Sequence, residues 1–460
     1  MFSKKNIILM IASMAIFVEA LDIAIINLTI PSIQSQFKVG NDQVQWLQTL
    51  YVLLYGGFLI IGGKLSDVLG KKKIFIIGSV LFLLTSLGAG LSSSFEMLAV
   101  FRAIQGLAAA LIMPSSLSIV IHNFTEEKQR SKAIGIFSSF AAIGSGSGLS
   151  FGGIISTLWG WHWVFLINVP ILFLVVIIAY FYLEADVPEK NKRTPDIISG
   201  LLLATALLMI SYAVHTIGDF QKQSGLLISL VVLLSISLKV LYNRLTRLAD
   251  PLINLSIFNS RAVVTANLAF ILLGGFFTGF LFMVSLILQK DMNLSAAKSG
   301  LLLVPFSLLS AVVAKFGIPF LTKRLTISQL GIAGMLCMLI GGVFLTNSVL
   351  FNHSLILVLL SATFVTGLGM TMCYTSLSVL SVQGIPKAHY GLGSSIGTTS
   401  YFLGAGIGLS ILTLFMKSQD VAVSVNISSL IVLSVYALIG LVLMTGYHRS
   451  KKLLPSGLQA

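Results

Sequence analysis

Charge is what this chain has least of. Only 10% of its 460 residues are Asp, Glu, Lys or Arg, and the acids number 15, whereas soluble globular proteins run near ~25% charged. That shortage excludes a water-soluble fold. The two cysteines, Cys337 and Cys373, are too few for a disulfide framework and are not spaced for a metal site. Both fall in apolar runs and read as small packing residues. The sequence also lacks a His-Glu-x-x-His zinc helix, a phosphate-cradling glycine loop ending in Lys-Ser/Thr and a Cys-x-x-Cys pair. Enzyme chemistry of those kinds, and work driven by a bound nucleotide, therefore have no seat. No cofactor is expected, and no metal.

Apolar residues make up 56% of the chain, with a mean hydropathy of +0.98. They fall in runs of roughly 20, long enough as helices to cross about 30 Å of hydrocarbon. The first run, from about Asn6 to Pro31, follows Lys4 and Lys5 as a leader peptide would, but it is too long and lacks a small-residue cleavage site. Runs and breaks predict fourteen membrane-spanning helices, near 7–30, 45–66, 74–91, 97–121, 133–157, 162–183, 197–216, 224–241, 262–288, 299–321, 328–346, 354–380, 391–415 and 427–447. The fold class expected is all-α integral membrane.

An even number of spans puts both termini on one side, and the basic residues say which. With the termini inside, 22 bases lie in cytoplasmic loops and helix ends, among them Lys71 to Lys73, Arg130, Lys132, Lys190, Lys192, Arg193, Arg244, Arg247, Lys323, Arg324, Lys387 and Arg449. The opposite face has 5: Lys38, Lys222, Lys290, Lys298 and Lys417. Topology thus accounts for the net charge of +14, and a nucleic-acid partner is not expected. The expected location is the cell membrane, multi-pass, with cytoplasmic termini and the lipid bilayer as surroundings.

Polar stretches at 184–196 and roughly 242–261 flank a helix pair with few polar residues. The chain divides accordingly into a six-helix bundle (1–183), two linker helices with flanking cytoplasmic loops (184–261), a second six-helix bundle (262–447) and a cytoplasmic tail (448–460). Two such bundles are the layout in which transporters build a midplane site.

Between spans 2 and 3 lies Gly62-Gly63-Lys64-Leu65-Ser66-Asp67-Val68-Leu69-Gly70-Lys71-Lys72-Lys73. Glycine lets helix ends approach, and Asp67 is placed to pair with a helix N-terminus or a base. This stretch resembles the loop signature of the major facilitator superfamily. Arg102-Ala103-Ile104-Gln105-Gly106 in span 4 looks like that superfamily's second motif. The run Gly144-Ser145-Gly146-Ser147-Gly148-Leu149-Ser150-Phe151-Gly152-Gly153 in span 5 is similar to its antiporter motif. Trp161-His162-Trp163-Val164-Phe165-Leu166-Ile167-Asn168-Val169-Pro170 looks like the fourteen-spanner drug/proton antiporter family. Two positions depart: Leu149 stands where a proline is usual, and His162 where an arginine is frequent. The resemblance implies two six-helix bundles plus two extra central helices. It also implies a conformational role for Gly63, Asp67, Gly70, Lys71 and Lys72, and antiporter-type glycines at Gly144, Gly148, Gly152 and Gly153.

Ionisable residues inside a membrane cost several kcal/mol each, so the few present are candidates for function. Only Glu19 and Asp22 lie well within a span, at i and i+3 on one helix face. A low dielectric favours the neutral carboxyl and so brings proton exchange towards physiological pH, while an ionised carboxylate attracts a cation. Asp22 matches the acid in the family's first-helix stretch, here Leu21-Asp22-Ile23-Ala24-Ile25-Ile26-Asn27, with Pro31 expected to close the helix. Glu19 has no clear family counterpart. Arg102, the lone deep base of the first half, is placed to neutralise either acid or to bond backbone carbonyls, and the resemblance implies that it helps to move the proton. Lys315 reads as a snorkelling side chain. Tyr51, Tyr55, Tyr374, Tyr401 and Phe402 are positioned either to line a cavity for cations or to face lipid.

The expectation is a secondary active transporter powered by the proton gradient. It exports hydrophobic or cationic small molecules by antiport, as a monomer. Proton-coupled uptake or exchange of a specific metabolite is the alternative, favoured by Leu149.

Overall fold

The computed structural model describes residues 4–186, 196–217, 220–248, 251–386, 390–416 and 425–452. Lys190, Lys192, Arg193, Lys387 and Lys417, named above for orientation, lie outside the described residues, as does most of the 448–460 tail. Every element among the described residues is helical. Among the described residues, fourteen helices are long and apolar enough to cross a membrane: α1 (Lys4–Leu28), α2 (Asn41–Leu69), α3 (Lys71–Gly90), α4 (Phe95–Asn123), α5 (Lys132–Trp159), α6 (His162–Tyr182), α7 (Ile197–Ile217), α8 (Gln223–Arg247), α9 (Arg261–Asp291), α10 (Ala296–Leu321), α11 (Ile327–Leu350), α12 (Leu355–Leu380), α13 (Tyr390–Leu414) and α14 (Ile427–Ser450).

Local chemistry sets the helix ends. Ser94, extended at φ −133°, accepts the Met97 amide at 3.1 Å and starts α4. Thr326 and Gln329 start α11 with a reciprocal capping box, each side chain filling an amide that the first turn leaves open. Pro31 corrects an expectation. α1 ends in a 3-10 turn at Ile26–Leu28, and Pro31 opens a new short helix, Ile30–Phe37, rather than closing the first. Proline lacks the N–H that a first helical turn leaves unpaired anyway, so that position suits it.

The outer faces carry apolar side chains, such as Leu84, Val100, Ile228 and Val442 at 55–63% exposure. Against hydrocarbon there is no penalty for that. Close packing therefore depends on shape, and glycine supplies it.

The chain forms two compact units, Met1–Thr205 with Ser295–Leu301, and Ala206–Leu294 with Leu302–Ala460. In the first, α2 packs on α4 at two glycines. A Cβ on Gly106 would strike the Tyr51 carbonyl, and one on Gly62 the Ala110 carbonyl. Pro114 removes the helical donor for that Ala110 carbonyl. In the second unit α9 packs on α13 in the same manner, with Gly274 against the Tyr401 carbonyl, Gly404 against that of Ile271 and Gly408 against Gly275. There the polar tie is neutral: Ser400 Oγ donates to Asn267 Oδ1 at 2.8 Å.

Candidate functional site

The first unit buries an ionic cluster. Asp22 and Arg102 are both 0% exposed, and Arg102 Nη1 lies 2.5 Å from Asp22 Oδ2. The other Asp22 oxygen, Oδ1, accepts from Asn168 Nδ2 at 3.0 Å. Arg102 also donates from Nη1 to Gln105 Oε1 at 2.9 Å and from Nε to the Leu47 carbonyl at 3.2 Å. Gln105 is held in turn by donating to Ser86 Oγ at 2.8 Å. The guanidinium lies 4.2 Å from the Tyr51 ring centre and 5.8 Å from that of Phe165. Arginine suits this seat because its planar fork serves several acceptors at once and stacks on an aromatic face. Of the two pairings open to Arg102, it makes both, with Asp22 and with a backbone carbonyl.

Glu19, one turn before Asp22, belongs to a different contact. It is 2% exposed and its Oε1 accepts from the Tyr55 hydroxyl. Tyr51 and Tyr55 are buried, with their rings edge to face at 6.1 Å, so neither faces lipid.

The α5 glycines back the same helix. A Cβ on Gly144 would strike the Phe17 carbonyl, on Gly148 the Leu21 carbonyl at 2.8 Å, and on Gly152 the Ile25 carbonyl at 2.6 Å. Both series advance in steps of four, so α1 and α5 run parallel with glycine against backbone along their seam. Gly153 points elsewhere, onto the Ala296 carbonyl at the start of α10.

At the turn between α2 and α3, Gly70 has φ +105°, which favours glycine. Asp186, in the segment after α6, accepts the Lys72 amide at 3.1 Å and the Lys73 amide at 2.9 Å, and so fills the α3 N-terminus, which Asp67 had been one candidate to occupy. A Cβ on Gly70 would strike the Asp186 carboxylate. Lys72 Nζ donates to the Tyr180 and Leu183 carbonyls, each at 2.7 Å. Gly63 is uncrowded, its Cβ position 3.7 Å from Pro114 Cβ; the close approach belongs to Gly62.

The profile of the Major Facilitator Superfamily matches residues 12–409. The chain belongs to that superfamily. It is 28% identical to the multidrug resistance protein Stp of Mycobacterium tuberculosis over 89% of this chain and 76% of that one. It is 28% identical to the multidrug efflux pump LfrA of Mycolicibacterium smegmatis, covering 89% and 81%, and 29% identical to the cephamycin export protein CmcT of Amycolatopsis lactamdurans, covering 88% and 83%. Among solved structures, a D-xylose-proton symporter superposes over 100% of both chains with a TM-score of 0.69 at 17% identity. The POT family transporter PepTSo covers 99% and 100% with a TM-score of 0.71 at 16% identity. These two likenesses concern the fold.

As a superfamily member the chain is a transporter, not an enzyme. Sequence reasoning singled out the three ions of the buried cluster, Glu19, Asp22 and Arg102. It did not single out Asn168, Gln105 and Ser86, which bond to that cluster, although two of them sit inside motifs already quoted. Asn168 belongs to the tryptophan motif, whose Trp161 donates to Gln36 Oε1 at 2.8 Å and stacks on His162 at 3.8 Å. Asp291 at the end of α9, facing His353 Nδ1 at 3.7 Å, was also passed over because it sits at a span's edge. Tyr374 and Tyr401 pack edge to face at 6.0 Å, as do Tyr401 and Phe402 at 5.5 Å.

Proposed function

We propose that this protein exports hydrophobic or cationic small molecules across the cell membrane in exchange for protons, as a monomer with both termini in the cytoplasm. The observation that carries the reading is the buried cluster on α1, in which Asp22 is paired to Arg102 and Glu19 lies one turn away. Ions in a membrane interior are costly and persist where they serve transport. The relatives named for drug resistance, drug efflux and cephamycin export support the direction. The energy source proposed is the proton gradient, with no cofactor.

The remaining motif residues are assigned accordingly. Gly63, Asp67, Gly70, Lys71 and Lys72 form the turn that responds to conformation, with Asp186 as its cap. Gly144, Gly148 and Gly152 form the α1–α5 seam, and Gly153 the contact with α10. The functional halves are 1–183 and 262–447, joined by the linker helices of 184–261 and followed by the tail at 448–460.

In inverted membrane vesicles, an acid-inside gradient should drive ethidium accumulation, and Asp22→Asn should abolish it. Accumulation that does not respond to the gradient would sink the proposal. Proton-coupled uptake remains the second reading because of Leu149, which is buried at 5% exposure where the family usually has proline. Gradient-driven accumulation in right-side-out cells would favour it.

A further inference from the structure

The two acids of α1 stand in unlike surroundings. Both oxygens of Asp22 are taken, one by Arg102 and one by Asn168, and Arg102 is itself anchored by Gln105 and the Leu47 carbonyl. This carboxylate is neutralised and held in place. Glu19 has only the Tyr55 hydroxyl on Oε1. Its Oε2 is buried and has no hydrogen-bond partner among the described residues.

Among the described residues, the groups that face this stretch of α1 leave Glu19 without a counter-ion of its own. From α5 come Gly144, Gly148 and Gly152; from α6 comes Asn168, a neutral amide; from α2 come the phenols Tyr51 and Tyr55. The base on α4, Arg102, is engaged by Asp22, which is also the nearest acid along α1. A buried carboxylate with one hydrogen bond and no cation is costly. A proton on Oε2 cancels the charge and turns the orphan acceptor into a donor.

Resting on the proton-coupled reading above, we propose that Glu19, not Asp22, is the group on which the transported proton rides, and that Tyr55 is its positioning residue. Asp22 and Arg102 then form a fixed ion pair that holds α1 on α4. The proton bonds to a lone pair of Glu19 Oε2 and leaves that oxygen to water as a cationic substrate arrives; the lone pair stays on the oxygen, the substrate's charge replaces the proton's, and Tyr55 keeps its own hydrogen throughout. One carboxyl thus accepts a proton or a cation but not both, which is what exchange requires. Buried oxygens without hydrogen-bond partners among the described residues, Ser13 Oγ, Gln48 Oε1 and the Tyr51 hydroxyl, lie on the same two helices. Such sites suit the water that would bring the proton in.

The test uses the purified full-length protein in weakly buffered solution with a pH indicator and ethidium as the probe. Wild type should release a proton on binding ethidium. Glu19→Gln should bind ethidium more weakly and release no proton on binding; in proteoliposomes it should lose gradient-driven accumulation by roughly tenfold or more. Tyr55→Phe should keep the release but shift its pH profile. Proton release from Glu19→Gln at the wild-type level overturns the assignment. If Glu19→Gln fails to bind, Glu19→Asp decides: recovery of binding and release together upholds the proposal, and failure to recover places Glu19 in the fold and overturns it. Wild type that neither binds ethidium nor moves it with the gradient overturns the export reading itself, a result separate from any behaviour of the Glu19 variants.

Discussion

Asn168 and Asp22 stand 146 residues apart in sequence and 3.0 Å apart at their polar atoms. The amide takes the one carboxylate oxygen that Arg102 leaves open, and so ties α6 to the α1–α4 ion pair. Hydrogen bonds to charged groups are worth about 1.5–3 kcal/mol. Asn168→Ala should therefore lower Tm in detergent and reduce gradient-driven transport. Asn168→Asp should do more harm, since it sets a second acid against Asp22. Thermal unfolding and vesicle transport measured side by side would check both.

Arg102 offers a test of the ion pair itself. Breaking one partner of a buried pair costs about 3–5 kcal/mol, because the other charge is left uncompensated. Arg102→Ala should be strongly destabilised, and the double variant Asp22→Asn with Arg102→Ala should recover much of the lost Tm. Arg102→Lys should keep the charge but lose the fork that reaches Gln105 and Leu47, and should fall between wild type and Arg102→Ala. Equal Tm values for Arg102→Ala and the double variant would contradict the pairing argument.

The glycine seam makes a steric prediction. Overpacking a filled interface costs about 1–3 kcal/mol and sometimes more. Gly148→Leu, which drives a side chain into the Leu21 carbonyl, should abolish transport and lower Tm. Gly135→Ala lies on the same helix with nothing within 4 Å of the new Cβ, and it should be indistinguishable from wild type.

Asp186 caps a helix from a distance. Losing a cap costs about 1 kcal/mol, so Asp186→Ala should lower Tm modestly. Gly70→Ala should cost more, since it meets both the positive φ and the Asp186 carboxylate. Combining the two should cost less than the sum, because removing the carboxylate relieves the clash.

Outside the membrane, the Lys4 ammonium bonded to Glu184 at 2.9 Å holds that carboxyl below its usual range. Whatever this pair contributes is present above the ordinary carboxylate range and is lost as pH falls through the depressed value. Both side chains are largely exposed, so salt screens them. Glu184→Gln should leave transport and Tm at wild-type values, and a clear loss in either would contradict this.

The helices were legible because a span is written in composition: about 20 apolar residues with polar breaks leave little else to form. Glu19, Asp22 and Arg102 were legible because charge inside such a run is rare. Their partners were not. Asn168 and Tyr55 reach the acids only because particular faces of α6 and α2 turn towards α1, and helices that are apolar all round carry no periodicity to reveal which face that is. Asp186 was hidden for another reason: an acid in a polar loop looks like any other until the loop folds onto a helix end. Pro31 was misread because proline ends one helix and begins the next equally well, and sequence alone does not say which.

The match between α5 and α1 repeats every four residues on both sides, Gly144 to Phe17, Gly148 to Leu21 and Gly152 to Ile25. A slip of four residues, about 6 Å at a rise of about 1.5 Å each, would again set glycine against backbone, with Gly144 at Leu21 and Gly148 at Ile25. Such a seam works like a toothed rack with more than one notch. Its shape alone therefore leaves the register open. The two polar bonds at Asp22 hold α1 to α4 and α6, so any event that loosens the carboxylate frees α1 from those helices and leaves the glycine rack to slide.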